Sequence, residues 1–441
     1  MNHTKALPQG VDGILRDIFS IGAKPVAVLD SLRFGELDNA TTKHLLDDVI
    51  DGIAGYGNAI GIPTAGGEIG FDAVYQGNSL VNVMAVDVID QAAMQVGRAE
   101  GIGNTVMYVG TKTGRDGIHD ATFASAEFSS DEDQNRSTVQ VGDPFMEKLV
   151  MDATLKVIRE HGDVIVGVQD MGAAGLVSSS AEMAGKSGMG MQLNLDLVPQ
   201  REAGMTPYEL MLSESQERML LVVAAGHEAE VQAVFEDAGL DAVTIGTVTD
   251  TGRYELLWHG DVAADVPVDF LTTAPKQNMP QATPARLNEP SANFVPGTVD
   301  GAATLADLLQ QPTIASKASL FRHFDSMVRA DTVVKPGGDA AVVRLRGTKK
   351  ALAMTTDVNN RFTYLDPYNG GQLAVVEAAG NVVATGAQPI GITDCLNFGN
   401  PDGPEIYYEL AQSVAGIRHQ PNGEAVEYAG YLWKRVTLQR N

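Results

Sequence analysis

The stretch Val164-Ile165-Val166-Gly167-Val168-Gln169-Asp170-Met171-Gly172-Ala173-Ala174-Gly175-Leu176-Val177-Ser178-Ser179-Ser180-Ala181-Glu182-Met183 decides how the chain is read. Its apolar start has the length of a buried strand, and Asp170 then stands at the strand's C-terminal tip, before a helix start. Gly172 and Gly175 let the backbone come close to a ligand, and the free N–H groups of a helix start attract anions. A strand-end carboxylate in that position suits Mg²⁺, which takes one or two carboxylates and leaves its other positions to phosphate and water. An Asp that merely caps an ordinary helix gives the same local pattern. This stretch alone leaves both readings open.

Outward from it, the chain alternates strand and helix signals. Residues 10–22 have helical spacing (Ile14, Leu15, Ile18, Phe19), with Arg16 and Asp17 adjacent on the flank. A strand follows at Val26–Leu29, ending at Asp30, and residues 41–59 read as a long amphipathic helix. After Ile60–Pro63, Thr64-Ala65-Gly66-Gly67-Glu68 reads as a turn, and Ser79–Ile89 as a buried strand. Thr105–Val109, Met219–Ala224 and Val243–Val248 read as strands, and 144–160 and 226–238 as helices. Gly110–His119 is a Gly-rich loop carrying both charge signs, and Glu214-Ser215-Gln216 emerges from the apolar stretch that begins at Leu210. Residues 273–300, with five prolines from Pro275 to Pro296, read as a linker.

Length and charge narrow the class. A chain of 441 residues is too long for one core. Its 44% hydrophobic content and 47 glycines suit a globular protein with many tight backbone positions. A net charge of −25 repels nucleic acid backbones and anionic membranes, so neither is an expected partner. No uncharged apolar window reaches about 18 residues, and the N-terminus shows no signal-peptide pattern. The lone cysteine, Cys395, excludes an intrachain disulfide framework, makes a Cys-ligated zinc site improbable, and fits a reducing cytoplasm.

The first ground plan returns 364 residues on. Gly22-Ala23-Lys24-Pro25 matches Gly386-Ala387-Gln388-Pro389, Asp30 matches Asp394, Ser31–Gly35 matches Cys395–Gly399, and Gly52-Ile53 matches Gly416-Ile417. A constant offset without a gap implies a duplicated lobe. The repeat stops at Ile417: residues 418–432 carry neither the apolar pattern nor the Gly-Gly of 54–68. Residues 418–441 are therefore expected to be foreign to this fold, a frameshifted or spliced-on tail.

Taken together, residues 13–25, 31–37, 114–119, 139–149, 169–176, 212–219 and 393–401 resemble the synthetase subunit of phosphoribosylformylglycinamidine synthase, of the small multi-subunit type. The resemblance covers roughly 10–417 and implies an α/β (α+β) fold of tandem lobes, as in aminoimidazole ribonucleotide synthetase. Each lobe has an N-terminal and a C-terminal α/β domain. On this reading 1–95 is the remainder of the first N-terminal (ATP and Mg²⁺) domain and 103–256 the first C-terminal domain. The linker at 273–300 follows, and 305–417 is a partial second N-terminal domain. The implied reaction is a ligase step of purine biosynthesis, in which ATP, formylglycinamide ribonucleotide and ammonia give formylglycinamidine ribonucleotide. Ammonia would come from a glutaminase subunit, joined by a small bridging subunit.

The resemblance also assigns site residues. Asp17 and Asp170 would hold Mg²⁺, while Arg16, Gln140, Glu214, Ser215 and Gln216 would contact substrate. Asp394 would contact ATP, and its repeat mate Asp30 would be structural. Departures stand beside these matches. The family's Glu-Ser-His-Asn-His-Pro run, with a Mg²⁺ Glu and the proposed general-base His, would fall before Met1, because its second-lobe counterpart begins at Asp357. A Gly-Gly-Asn-Val-Ser run expected after Ile417 is absent, and Asp12 and Asp120 stand where the family has Gly. The chain thus reads as the middle of a longer enzyme. A non-catalytic nucleotide- or subunit-binding fragment, or another ATP-using enzyme of the same superfamily such as a selenide or thiamine-phosphate kinase, remain as alternatives.

Overall fold

The computed structural model describes residues 9–118, 142–288 and 297–419. Gln140 and nearly all of the 418–441 tail lie outside them. Helix α1 (Gln9–Ser20) forms because Val11, Leu15, Ile18 and Phe19 recur at helical spacing and all are buried. Strand β1 (Lys24–Phe34) is flanked by β2 (Thr64–Phe71), which runs parallel to it, and β3 (Leu80–Val88), which runs antiparallel. Between them, α2 (Ala40–Ile60) opens on an Asn39 cap that accepts from the Thr41 N–H. It closes on Gly61, whose φ of +77° is the left-handed turn that glycine permits.

Two local expectations change here. β1 does not stop at Asp30 but continues to Phe34, because neighbours on both sides extend its ladder. The Thr64–Glu68 stretch is no turn: it opens β2. Its glycines serve close approach instead. A Cβ on Gly66 would press on Ala341 at 3.2 Å, and Gly67, at φ +141°, lies against the Asp30 backbone.

A seven-stranded sheet of order β10-β9-β6-β8-β4-β7-β5 follows, mixed through one parallel pair, β6 with β9. It is built from β4 (Thr105–Gly110), β5 (Ile165–Asp170), β6 (Gly190–Asn194), β7 (Arg218–Val223), β8 (Asp241–Thr249), β9 (Arg253–Trp258) and β10 (Asp261–Pro267). Its helices are α3 (Pro144–His161), α4 (Gly175–Ser187), the short α5 (Pro207–Leu212), α6 (Glu228–Asp237) and α7 (Val268–Thr272). β4 and β7 are buried along their whole length and sit centrally. One continuous core joins this unit to the first. Leu15 and Phe19 of α1 and Ile53 of α2 share it with Val150 and Val157 of α3 and Leu221 of β7.

The remainder contains α8 (Gly301–Gln310), α9 (Ala318–Phe321) and a small antiparallel sheet of β11 (Thr332–Val334), β12 (Ala341–Arg344) and β13 (Ala351–Met354). This sheet closes over β1 and β2 through Ala27, Leu29, Ala65, Ala341, Val343 and Met354. Then come α10 (Asn360–Leu365), α11 (Pro367–Ala384) and α12 (Pro404–Arg418). Among the described residues no helix is long and apolar enough to cross a membrane.

Candidate active site

Where α1, the tip of β5, the start of α3 and the segment before β7 meet, charged side chains are buried together. α1 turns an unusual face to that junction. Asp12 and Arg16, one helical turn apart, are 0% and 1% exposed and form an ion pair. The Arg16 Nη2 donates to Gln216 Oε1 at 2.7 Å, its Nη1 lies 3.8 Å from Glu147 Oε2, and its Nε lies 3.9 Å from Asp170 Oδ2. Burial alone would lower the Arg16 pKa, but Asp12, Glu147 and Asp170 outweigh it and hold the guanidinium charged.

Asp170 ends β5, and the helix after it begins only at Gly175, with left-handed Ala174 as its cap residue. Asp170 therefore caps nothing. Its carboxylate faces that of Asp17 closely enough for the two to share a proton. Desolvation, then the neighbouring Asp170 charge, raises Asp17 to about 7, although the residue keeps an exposed side. Burial likewise raises Asp170, with Arg16 working against it. Two like charges at this separation repel, and a cation between them relieves that repulsion. The pair is of the kind and number that Mg²⁺ accepts.

Glu214, Ser215 and Gln216 reach the same junction, all at most 4% exposed. Glu214 Oε1 accepts from the Ala174 N–H at 2.9 Å, fixing the glycine-rich loop after β5. Ser215 Oγ accepts from the Gly114 N–H at 2.9 Å and donates to Asp116, so it ties down the loop after β4. Gln216 donates to the Glu214 carbonyl at 2.7 Å while accepting from Arg16. Ala174 at φ 57° and Glu217 at φ 56° are non-glycine residues held in left-handed conformations here, the kind of local strain that persists where surrounding contacts enforce it.

Asp394 is placed differently. Its segment lies on β3, where Cys395 Sγ and Asn397 Nδ2 each reach Asn82 Oδ1 at 3.3 Å, and Asp394 Oδ2 is buried without a partner. Asp30 is buried in mid-strand, with neither carboxylate oxygen hydrogen-bonded; burial lifts it to about 7. Four residues of the junction escape a reading of the sequence: Glu147, Glu217, Arg218 and Tyr56. Arg218, fully buried, donates to the Ser213 and Ser215 carbonyls and to Thr113 Oγ1. Glu147 follows Asp143-Pro144 in the first turn of α3, where an acidic residue normally faces solvent.

The chain is similar to known proteins over most of its length. Residues 101–259 match the family described as AIR synthase related protein, C-terminal domain, and residues 8–89 and 337–430 match its N-terminal domain. Phosphoribosylformylglycinamidine synthase subunit PurL of Leuconostoc mesenteroides is 71% identical over 409 residues, or 92% of this chain. The chain belongs to the PurL family. It spans 55% of the Leuconostoc protein's length. PurL of Thermotoga maritima, solved as a complex with FGAR, superposes with a TM-score of 0.78 at 33% identity, over 94% of this chain and 64% of that one. The Thermotoga PurLQS structure gives 0.76 at 31% identity, over 94% and 64%. Other structures of the Thermotoga protein are complexes with ADP, AMPPCP or ATP. The PurL fold is thus an α/β (α+β) architecture of AIR synthase related N- and C-terminal domains, and the chain has it.

Proposed function

We propose that the chain serves the ATP-dependent amidation of formylglycinamide ribonucleotide to formylglycinamidine ribonucleotide. In the assembled cytoplasmic enzyme, ammonia would come from a glutaminase subunit and a small bridging subunit would complete the complex. The observation that carries this reading is the pairing of Asp17 and Asp170 beside the glycine-rich start of α4. The FGAR, nucleotide and PurLQS structures of the Thermotoga relative support the substrate, ATP and partner assignments.

The substrate amide oxygen attacks the ATP γ-phosphorus and ADP leaves, giving an iminophosphate. Ammonia then adds at the activated carbon and phosphate departs. Mg²⁺ held by Asp17 and Asp170 would supply positive charge opposite the phosphate oxygens. Arg16 opposes the rise that burial imposes on the Asp170 pKa and orients Gln216, and Glu214 and Ser215 fix the loops after β5 and β4. By the family motif, the 214–216 segment and Arg16 would border the substrate. Gln140 is assigned a substrate contact and Asp394 an ATP contact by the family motif alone.

A coupled assay of ADP release, with ATP, ammonia and formylglycinamide ribonucleotide, tests the activity. Substrate-dependent ADP release supports it. Nucleotide binding with no release would favour a binding fragment instead. Asp170→Asn should abolish Mg²⁺-dependent protection by ATP against thermal unfolding, and undiminished protection would remove Asp170 from the site.

A further inference from the structure

The Asp17–Asp170 pair leaves a second group of acids on the far side of Arg16 unexplained. We propose that Asp12, Glu147, Glu217 and the Tyr56 hydroxyl form a buried divalent-cation site of their own, which ties α1 to α2, α3 and the segment before β7. One ligand atom from each of the three carboxylates lies within 4.8 Å of the others. Oxygens bound to one hard cation at about 2.1–2.4 Å can be no further apart than twice that length, and these three meet that limit.

Burial, then the neighbouring Asp12, raises the Glu147 pKa and lifts Glu217 to about 8, so a cation bound here displaces protons. Asp12 and Glu147 are 0% exposed and Glu217 3%, with Arg16 the one cation set among them in the described residues. Ionised, three carboxylates against one guanidinium leave a surplus of two negative charges, and an uncompensated buried charge costs several kcal/mol. A divalent ion cancels that surplus.

The free lone pairs point the same way. Both Glu147 oxygens and Asp12 Oδ2 are buried with no N–H or hydroxyl donor among the described residues, and the two carboxyl groups lie within hydrogen-bond reach of each other. Tyr56, 2% exposed, is not an acid, yet its hydroxyl is also unpartnered. Burial, then the charges of Glu147, Asp12 and Glu217 beside it, keeps this phenol neutral. Gly142 marks the centre of the gathering. A Cβ there would stand 3.2 Å from Tyr56 Cε2, 3.6 Å from Glu217 Oε1 and 3.8 Å from Asp12 Oδ2. Glu217 Oε1 also accepts from the Asp143 N–H at 2.6 Å, which orients its carboxylate from the strained left-handed backbone. An all-oxygen donor set selects the hard class of Mg²⁺, Ca²⁺ or Mn²⁺ over thiophilic metals.

Mn²⁺ is the probe, because free and bound ion are separated by electron paramagnetic resonance. The full chain is titrated alongside an Asp17→Asn/Asp170→Asn variant, which silences the pair assigned under the proposed function. That variant should still bind one Mn²⁺ and melt several degrees higher with it. Adding Asp12→Gly should remove this ion, and adding Tyr56→Phe should weaken it about three- to tenfold while circular dichroism stays unchanged. If Asp17→Asn/Asp170→Asn binds no Mn²⁺, or binds it equally with Asp12→Gly, the site does not exist. A wild-type chain that binds a single Mn²⁺, kept in Asp17→Asn/Asp170→Asn and lost with Asp12→Gly, upholds this site and overturns the other.

Discussion

The two copies of the repeat share a ground plan but not a fate. In the first, β1 is clamped between β2 and β3, and its residues from Ala27 to Asp30 are fully buried. In the second, the matching residues 388–398 carry no strand ladder, and Ile390 and Leu396 stand 54% and 38% exposed. The helices differ as well. α11 and α12 lie directly against each other, with Gly371 facing the Ser413 carbonyl and Gly416 the Tyr368 carbonyl so closely that no Cβ fits. α1 instead packs mainly on β3, α3 and β5 and meets α2 over a smaller area. The strand pattern is therefore a request that only neighbouring strands can grant.

Chemistry divides along the same line. Arg16-Asp17 in α1 is replaced 364 residues on by Gly380-Asn381 in α11. Asn381 donates to Asp357 Oδ1 at 2.8 Å, a neutral group quieting a carboxylate where the first copy opposes two carboxylates. The largest effect should come from removing Arg16, which leaves Asp12 and Glu147 buried without their cation. Arg16→Ala is expected to cost about 3–5 kcal/mol in urea unfolding. A loss below about 1 kcal/mol would mean the acids are neutralised by other means.

Second in size is the contrast between repeat mates Leu32 and Leu396. Leu32 is 3% exposed in the shared core, so Leu32→Ala should lose about 3 kcal/mol. Leu396→Ala should lose under about 1 kcal/mol, as for an exposed side chain. Equal losses would show that 388–398 is packed in solution, and the contrast between the copies would fail.

Much of this was readable in the chain, for a physical reason that also marks where reading stops. α1, α2, β1 and β5 rest on local periodicity, and local periodicity is visible in a single sequence. The 64–68 stretch misleads because its glycines answer to Ala341 and to the Asp30 backbone, and neither is near in sequence. Short β6, β9 and β10 also escape notice, since their register depends on each other and on β8. At the candidate site, motif context points to Asp17 and Asp170, and the structure brings the two together. Glu147, Glu217 and Tyr56 could not, because a buried acid on α3 becomes unusual only once α1 and α2 close over it.

Third comes Asp30, the buried repeat mate of Asp394. Its folded pKa of about 7 lies above the unfolded 3.8, so the native state holds the proton more tightly between those values. Stability from this group is full below about pH 4, is lost as pH rises to about 7, and is flat beyond. At about 1.36 kcal/mol per unit the ceiling is on the order of 4 kcal/mol, and relaxation around the charge should leave about 2. Asp30→Asn should therefore stabilise the chain at pH 8 and leave it unchanged at pH 4, in melts at both values. A variant no more stable at pH 8 would show that Asp30 is ionised and solvated.

The smallest expected effect sharpens the comparison from the second copy's side. Asn381 offers one neutral hydrogen bond to Asp357, whose other oxygen accepts from Thr355 Oγ1 at 2.6 Å. Losing one such bond at a half-buried position should cost about 1 kcal/mol or less. Asn381→Ala should thus be mild where Arg16→Ala is severe. Asn381→Asp is the more informative change, because it rebuilds the first copy's opposed carboxylates at the equivalent helix position. Without metal it should destabilise the chain by about 1 kcal/mol through like-charge repulsion. With Mg²⁺ in millimolar amounts that loss should be recovered. A variant that stays destabilised at every Mg²⁺ concentration would show that two facing carboxylates do not make the first-copy site by themselves, and that the Arg16 scaffold behind Asp170 is what makes them bind.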